Sequence, residues 1–543
     1  MTVASVDAAR SLARPTVSDA VGLPVRRWIA WLSVPALLIG VAAYPIVSEG
    51  AMPLPVALLI LLAVAALIVV RGNLRLLILL PLVAAFLPSA QVGFAAYLLT
   101  LGYFAADHGA ARFAQPLDRV DWAMLAVLGW AAFSWLANLG DQTDLWSLPV
   151  FVITFLSPWL LLFIARAVPW RRGEIPLVAG AWLAATMAQA VPSLLKPVLI
   201  GETSAYTVPL VAIQVTGVGL LRSFIPGGSS DLTTGTMTSA HHLGATMLLA
   251  IAMLIALRMA VRGTRILGVL VLLGFVFLMT DSKHIVLAAL PAGLIFGRAV
   301  LWRRLAPRTR RVLNVSAIVL ALGAGAYVGP PLARFVVDGL WRPYMVLATL
   351  NPKVLLYTRT ADLLAQGSPA TWIGFGPGVY ASRAASIRAT SVLFKEENRL
   401  PSFIPAHTGR AYGSVAYDLY TSEIVATEKD RSGALTSPFS SLVGIVGEFG
   451  LLGAAVVFWF LWTLARAGFA VWRKVEAEPV VRAAGAALGF GVPLLVVMGL
   501  FDTYFEQPAV TASLVLLAVI ALAGGRSEAA DTPRDRATAP TIR

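Results

Sequence analysis

Side chains able to bind or move charge gather in a few places along this 543-residue chain. Between residues 334 and 437 stand eleven basic residues, among them Arg359, Arg383 and Arg410, interspersed with eight acidic ones that include Asp418 and Glu423. Guanidinium suits phosphate best, because its planar fork donates paired hydrogen bonds to two oxygens. Lys283 follows one apolar run and precedes another, so its ammonium must pair with Asp281 or face water, which makes it a functional candidate. The five histidines are His108, His241, His242, His284 and His407. His241 and His242 open an apolar run; adjacent residues on a helix point in different directions, so at most one of them faces a given cavity, and helix capping is the plainer role. No carboxylate or third histidine stands at ligand spacing from them, and zero cysteines remove thiolate metal sites, disulfides and a cysteine nucleophile. Neither metal nor cofactor is expected. The run GFGPG from Gly374 to Gly378 lacks the Lys-Ser/Thr pair of a phosphate-cradling loop, and its glycines predict a tight turn with positive φ.

These groups must be held by an unusually apolar chain: 58% hydrophobic, 13% charged, mean hydropathy +0.80. Soluble domains carry about 25% charged residues, so a polytopic all-α membrane protein is the expectation. Crossing a core about 30 Å thick takes about 20 apolar residues in helical form, since hydrocarbon leaves no partner for a bare amide. Such runs fall near 28–47, 53–70, 74–89, 91–106, 121–139, 147–167, 175–199, 241–260, 264–281, 284–300, 312–333, 438–465, 483–501 and 507–524. About fourteen spans are therefore expected, within a range of 12–14, and those at 74–89, 91–106 and 284–300 are short enough to be tilted, paired or partly re-entrant. The expected organisation is a polar arm at 1–27 with no cleavable signal pattern, eleven spans within 28–333 interrupted by an external segment at 201–240, a large loop domain at 334–437, three more spans within 438–525, and a tail at 526–543.

Charge tests this arrangement independently. With the N-terminus taken as cytoplasmic, alternate connections collect 28 of the 42 Lys and Arg residues, while the short connections between them hold Glu49, Asp141, Asp144, Asp502 and Glu506. The positive-inside rule then puts both termini in the cytoplasm. His108 falls in a cytoplasmic connection on this reading and carries no chemistry. Most of the formal surplus of +14 is thereby explained by topology, which argues against nucleic acid as a partner. The basic 334–437 stretch breaks the pattern, as a long translocated loop is free to do. Its aromatics, Trp341, Tyr344, Tyr357, Trp372, Tyr380, Tyr412, Tyr417 and Tyr420, suit either stacking on sugar rings or anchoring at the interface.

Three stretches in fixed order resemble the O-antigen ligase and polymerase superfamily, membrane glycosyltransferases that take a glycan from a polyprenyl-diphosphate carrier. The first is Arg222 followed by TGTMTSAHHLGATMLLA at 234–250, with His241 where the family often has Asn. The second is RTADLLAQGSPATWIGFGPGVY from Arg359 to Tyr380. The third is LTSPFSSLVGIVGEFGLLG from Leu435 to Gly453, and MTDSKH from Met279 to His284 is a weaker echo, with Ser282 and Lys283 where the family commonly has Ser-Arg. The resemblance covers roughly residues 220–505. One departure matters: Phe439 stands where ligases carry the histidine that assists the acceptor hydroxyl, with Ser440 next to it.

What the resemblance implies is a GT-C-like fold in the bacterial inner membrane, with the reaction on its outer face. Fixed cations would stabilise the charge growing on the departing diphosphate without a metal. Arg222 and Arg359 take that role by motif position, with Lys283, Arg383 and Arg410 as secondary cations and His241, His242 and Tyr380 as further substrate contacts. Because phenylalanine accepts no proton, His407, Glu423 or Asp418 stands to replace the missing histidine, unless the diphosphate leaves readily enough to need no strong base. A polymerase joining one lipid-linked repeat unit to another, for exopolysaccharide or O-antigen, then fits better than a ligase attaching finished glycan to lipid or protein. A lipid-linked glycan flippase is the alternative from another class, although no internal repeat supports it. The implied partners are the polyprenyl-diphosphate-linked oligosaccharide, membrane lipid, and chain-length regulator or export proteins.

Overall fold

The computed structural model describes residues 54–87, 90–171, 173–194, 237, 239–261, 265–280, 282–301, 352–393, 404–407, 409, 419 and 440–531. The expected spans at 28–47 and 312–333, the arm at 1–27 and most of the segment 201–240 lie outside the described residues, as do Arg222, Arg410, Asp418, Glu423 and Phe439.

Every named element is helical, and among the described residues there is no strand. In chain order these are α1 (Leu54–Val70), a 3-10 turn (Leu74–Leu79) leading into α2 (Leu80–Ala85), α3 (Ala90–Ala114), α4 (Arg119–Ala137), α5 (Ser147–Ala165), α6 (Glu174–Leu194), α7 (Ala240–Val261), α8 (Arg265–Met279) and α9 (Lys283–Phe296). The stretch between α9 and α13 contributes α10 (Pro352–Ala365), α11 (Pro369–Ile373) and α12 (Arg383–Leu393). The chain then returns through α13 (Ser441–Arg473), α14 (Pro479–Met498) and α15 (Pro508–Asp531). Among the described residues six helices, α4, α5, α6, α7, α13 and α14, are long and apolar enough to cross a membrane. The protein is an all-α polytopic membrane protein. α15 is apolar and buried all round from Val510 to Ala521, packing against α14, α5, α6, α7 and α2, which makes it the central helix.

Several expected limits are corrected. The 3-10 turn and α2 together rise only about 21 Å, short of the bilayer core, so the 74–89 run does not cross it as a straight helix. α3 continues past residue 106 to Ala114 and takes in Asp107 and His108, so His108 sits within a helix and not in a connection. Charge ended the apolar window there, while alanine at 105, 106, 110, 111 and 114 kept the backbone helical. The span expected at 438–465 runs from Ser441 to Arg473, but Gly450 breaks it with φ +67 and ψ −175. The piece beyond Gly450 rises about 34 Å, a membrane crossing; the piece before it is a short helix at one end of the bundle.

That end holds the starts of α5, α7, α9, α13 and α15 and the ends of α4, α8 and α14. The opposite end holds a buried ionic network in which Arg166 binds Asp121 at 2.5 Å and Asp118, while Arg112 pairs with Asp121 and donates to the Phe163 carbonyl at 3.0 Å. Arg75 reaches Glu174 at 3.1 Å beside it.

Candidate functional site

The break in α13 builds the site. Leaving helical geometry at Gly450 strands backbone carbonyls, which must find donors if the helix sits in or near lipid. Phe375 N–H donates to the Gly447 carbonyl at 2.9 Å and Gly376 N–H to Glu448 at 3.0 Å. Ser134 Oγ lies 3.0 Å from the Glu448 carbonyl, and the Trp130 indole donates to Phe449 at 2.9 Å. The GFGPG turn is thus a strap laid across the broken helix and fastened by α4. Gly374, Gly376 and Gly378 have φ of +79, +101 and +72, as the sequence led one to expect. A Cβ at Gly374 would stand 2.2 Å from the Glu448 carbonyl oxygen.

The strap closes over two carboxylates. Glu448 accepts the Tyr380 N–H at 3.2 Å and further bonds from Gly378, Val379 and Ser382. Glu506, on the turn between α14 and α15, accepts the N–H groups of Arg383 and Ala384. Burial, with Glu448 close by, pushes Glu506 up to about 8, so it holds its proton at neutral pH. Tyr380 itself is 1% exposed: its ring lies against Gly447 and stacks on Phe375, and its hydroxyl is 2.8 Å from Thr360. The side chain expected to meet sugar is instead a brace between strap, α10 and α13, and burial drives its pKa up to about 12.

α10 lies on the same end. Lys353 donates to the Phe501 carbonyl, and Tyr357 OH sits 2.8 Å from both Ser440 Oγ and the Leu500 carbonyl. Burial lowers Lys353 to about 8, with Asp502 opposing the shift. Ser440, next to Phe439 in sequence, caps α13 and donates to the Gly499 carbonyl at 2.9 Å. Arg359 is half-buried on α10, off the face that carries Lys353, Leu356 and Thr360. The Arg383 guanidinium stands 5.6 Å over the Phe94 ring, within electrostatic reach of His242 and Glu506.

The first motif docks onto its weaker echo in the same region. His241 Nδ1 is 3.0 Å from Ser282 Oγ, and its ring meets that of His284 edge to face at 4.4 Å. His284 Nε2 is 2.5 Å from Tyr504 OH, and burial, with Asp502 nearby, raises the Tyr504 phenol far above its ordinary range. His242 is buried, its ring 6.3 Å from Tyr504. Lys283 begins α9, but its side chain lies outside the described residues.

His407 sits apart, on the α4–α5 turn, its Nε2 2.8 Å from the Gln142 carbonyl and its N–H donating to Arg388 O. Next to it the fully buried Arg388 grips Asp144 with two 2.6 Å bonds. Burial alone would raise Asp144, but hydrogen bonds from Arg388 and Ser147 and the Arg388 charge outweigh it and hold the carboxyl at about 2.

Of the expected residues, Arg359, Arg383, His241, His242 and Tyr380 therefore gather at one end of the bundle. The sequence reading passed over Glu448, Glu506, Lys353 and the His284–Tyr504 pair. The two glutamates were within reach, because a carboxylate at the edge of an apolar run is a candidate on cost alone. Among the described residues no three metal-binding side chains converge. No protein-family model matches the chain, and no curated protein matches it.

Proposed function

We propose that the protein is a polysaccharide polymerase, a metal-independent glycosyltransferase that moves a glycan from a polyprenyl-diphosphate carrier to a second lipid-linked repeat unit. On this reading it is an inner-membrane protein of about fourteen spans with a GT-C-like arrangement, both termini cytoplasmic and the site on the outer face. The observation that carries the proposal is the docking of the strap Gly374–Ser382 onto the break at Gly450, with the first motif joined to its echo at the same end. Stretches far apart in sequence that share only a resemblance thus occupy one region, and they bring Arg359 and Arg383 there with them.

Guanidinium groups at the membrane surface would grip the diphosphate and stabilise the charge that develops on its bridging oxygen as the sugar leaves. Arg222 belongs to the same proposal through its motif. The strap positions Arg383 by holding its backbone on Glu506.

Deleting the gene and analysing the lipid-linked pool tests the reading. Accumulation of single repeat units supports a polymerase. Full-length lipid-linked polymer would mean a ligase, and loss of outward-facing intermediates a flippase. Arg359→Ala and Arg222→Ala should each abolish polymer while the protein still inserts to normal levels; polymer at parental levels in both would remove the arginine mechanism.

A further inference from the structure

We infer that α11 rests on the bilayer, with the Trp372 indole seated where headgroups meet acyl chains, and that this contact anchors the strap that follows it. The inference goes beyond the glycosyl-transfer reading and needs only that the chain spans a membrane. Trp372 is 53% exposed, while Thr371 before it is buried and donates to the Leu364 carbonyl at 2.7 Å. Adjacent side chains on a helix point in different directions, so the face that Thr371 turns inward leaves the indole turned out.

Its depth follows from α13. A Cβ on Gly450, where α13 breaks, would stand 2.3 Å from the Trp372 carbonyl carbon, so α11 lies against the point where the crossing begins. The piece of α13 beyond Gly450 rises about 34 Å against a hydrocarbon core about 30 Å thick. Its ends, at Gly450 and Arg473, therefore stand near the two boundaries of that core. Trp372 is level with the first of them, the depth that suits a ring with an apolar body and a polar N–H.

The lipid-facing surface of the crossing leads up to the indole. Leu451, Leu452, Trp459 and Trp462 are exposed along one side of α13. On α4, Phe133 is 50% exposed and packs on Trp130, whose indole donates to the Phe449 carbonyl just before the break. Ser134 Oγ, beside Phe133, lies 2.8 Å from the Ile373 carbonyl. The apolar flanks of α4 and α13 thus meet at α11, and what covers them below covers Trp372 above. No charged residue stands between Asp362 and Arg383, so α11 and the strap bring no charge toward hydrocarbon. The strap begins at Gly374, two residues past the indole, which makes Trp372 the fixed point of its entry.

The test uses the full-length chain, whose lack of cysteine lets one introduced thiol be labelled alone. Trp372→Cys carrying a bimane fluorophore is reconstituted into vesicles of phosphatidylethanolamine and phosphatidylglycerol. A nitroxide on the upper acyl chain of added lipid should remove more than half of its emission, and aqueous iodide little. Asp362→Cys, exposed on α10, should respond the other way. Pro369→Cys, exposed one turn earlier on the same face as Trp372, reads the same boundary should Trp372→Cys not fold. Quenching of the Trp372→Cys label by iodide and not by lipid would put the indole in water, open to sugar, and overturn the inference. A label that neither quencher reaches would mean that protein covers this face, from the same chain or a second copy, and overturns it equally. In the same vesicles the strap of Trp372→Ala should be cut by protease faster than that of the parent, and Trp372→Tyr, which keeps an amphipathic ring, should resist as the parent does. Equal cleavage in all three would remove the anchoring. None of these readouts depends on glycan transfer, so they stand or fall apart from that reading.

Discussion

A carboxyl group wholly out of water keeps its proton unless a cation or several donors compensate, and at Glu506 the two backbone N–H groups of Arg383 and Ala384 do so incompletely. Its value rises from 4.5 to about 8 in the folded protein. Between those limits the folded state holds a proton that the unfolded chain has lost, so stability falls as pH rises through the window. The melting temperature in detergent should therefore decline from pH 5 to pH 8.5. Glu506→Gln keeps an oxygen to accept the same two N–H groups but cannot ionise, so its decline should be visibly shallower. Parallel curves for parent and variant would mean that Glu506 is already ionised when folded. Asp144 is the counterpart, half-exposed and held by a buried arginine, so its contribution is lost only in strong acid.

Among the elements, α13 concentrates most of the argument. Its 33 residues would rise about 50 Å as one helix, far more than a bilayer core, and the break at Gly450 divides them into an end piece and a crossing. Only glycine adopts φ +67 with ψ −175 readily, and any other residue costs about 1–3 kcal/mol there. A Cβ would also stand 2.3 Å from the Trp372 carbonyl carbon, backbone that cannot step aside. Gly450→Ala should therefore lower the melting temperature and expose the strap to protease, whereas Gly102→Ala on α3, with nothing within 4 Å, should leave both unchanged. Equal protease resistance in the two variants would mean that the strap is not held by this break. The sequence made α1, α4, α5, α7 and α14 legible within a few residues, because apolar length alone sets such helices. It misplaced the end of α3, where charged residues continue a helix, and the end of α13, expected near 465 and found at Arg473, and it did not show the break at Gly450. The cations of the site were visible as residue types. The docking of strap on broken helix, and of His284 on Tyr504 across 220 positions, was not, because no local pattern encodes such pairing.

At the scale of the whole molecule the two ends differ in kind. One end carries Arg71, Arg75, Arg112, Arg119, Arg166, Arg171, Arg473, Lys474 and Arg482, several tied to Asp118, Asp121 and Glu174. The other carries the strap, the histidine cluster and the acidic turns around Asp144, Asp502 and Glu506. Basic residues stay on the cytoplasmic side during insertion, so the first end should face the cytoplasm and the site the opposite compartment, where a polyprenyl-linked glycan would await transfer. The absence of cysteine from the chain makes this directly measurable, since any introduced thiol is the sole target for a maleimide. Leu145, on the α4–α5 turn, is 70% exposed, and Val475, between α13 and α14, is 75% exposed. In cells with a permeable outer layer and an intact inner membrane, a charged maleimide that cannot cross the bilayer should label Leu145→Cys and spare Val475→Cys until the membrane is broken open. The reverse pattern would turn the site toward the cytoplasm, and an outward-facing polymerase could not survive that result.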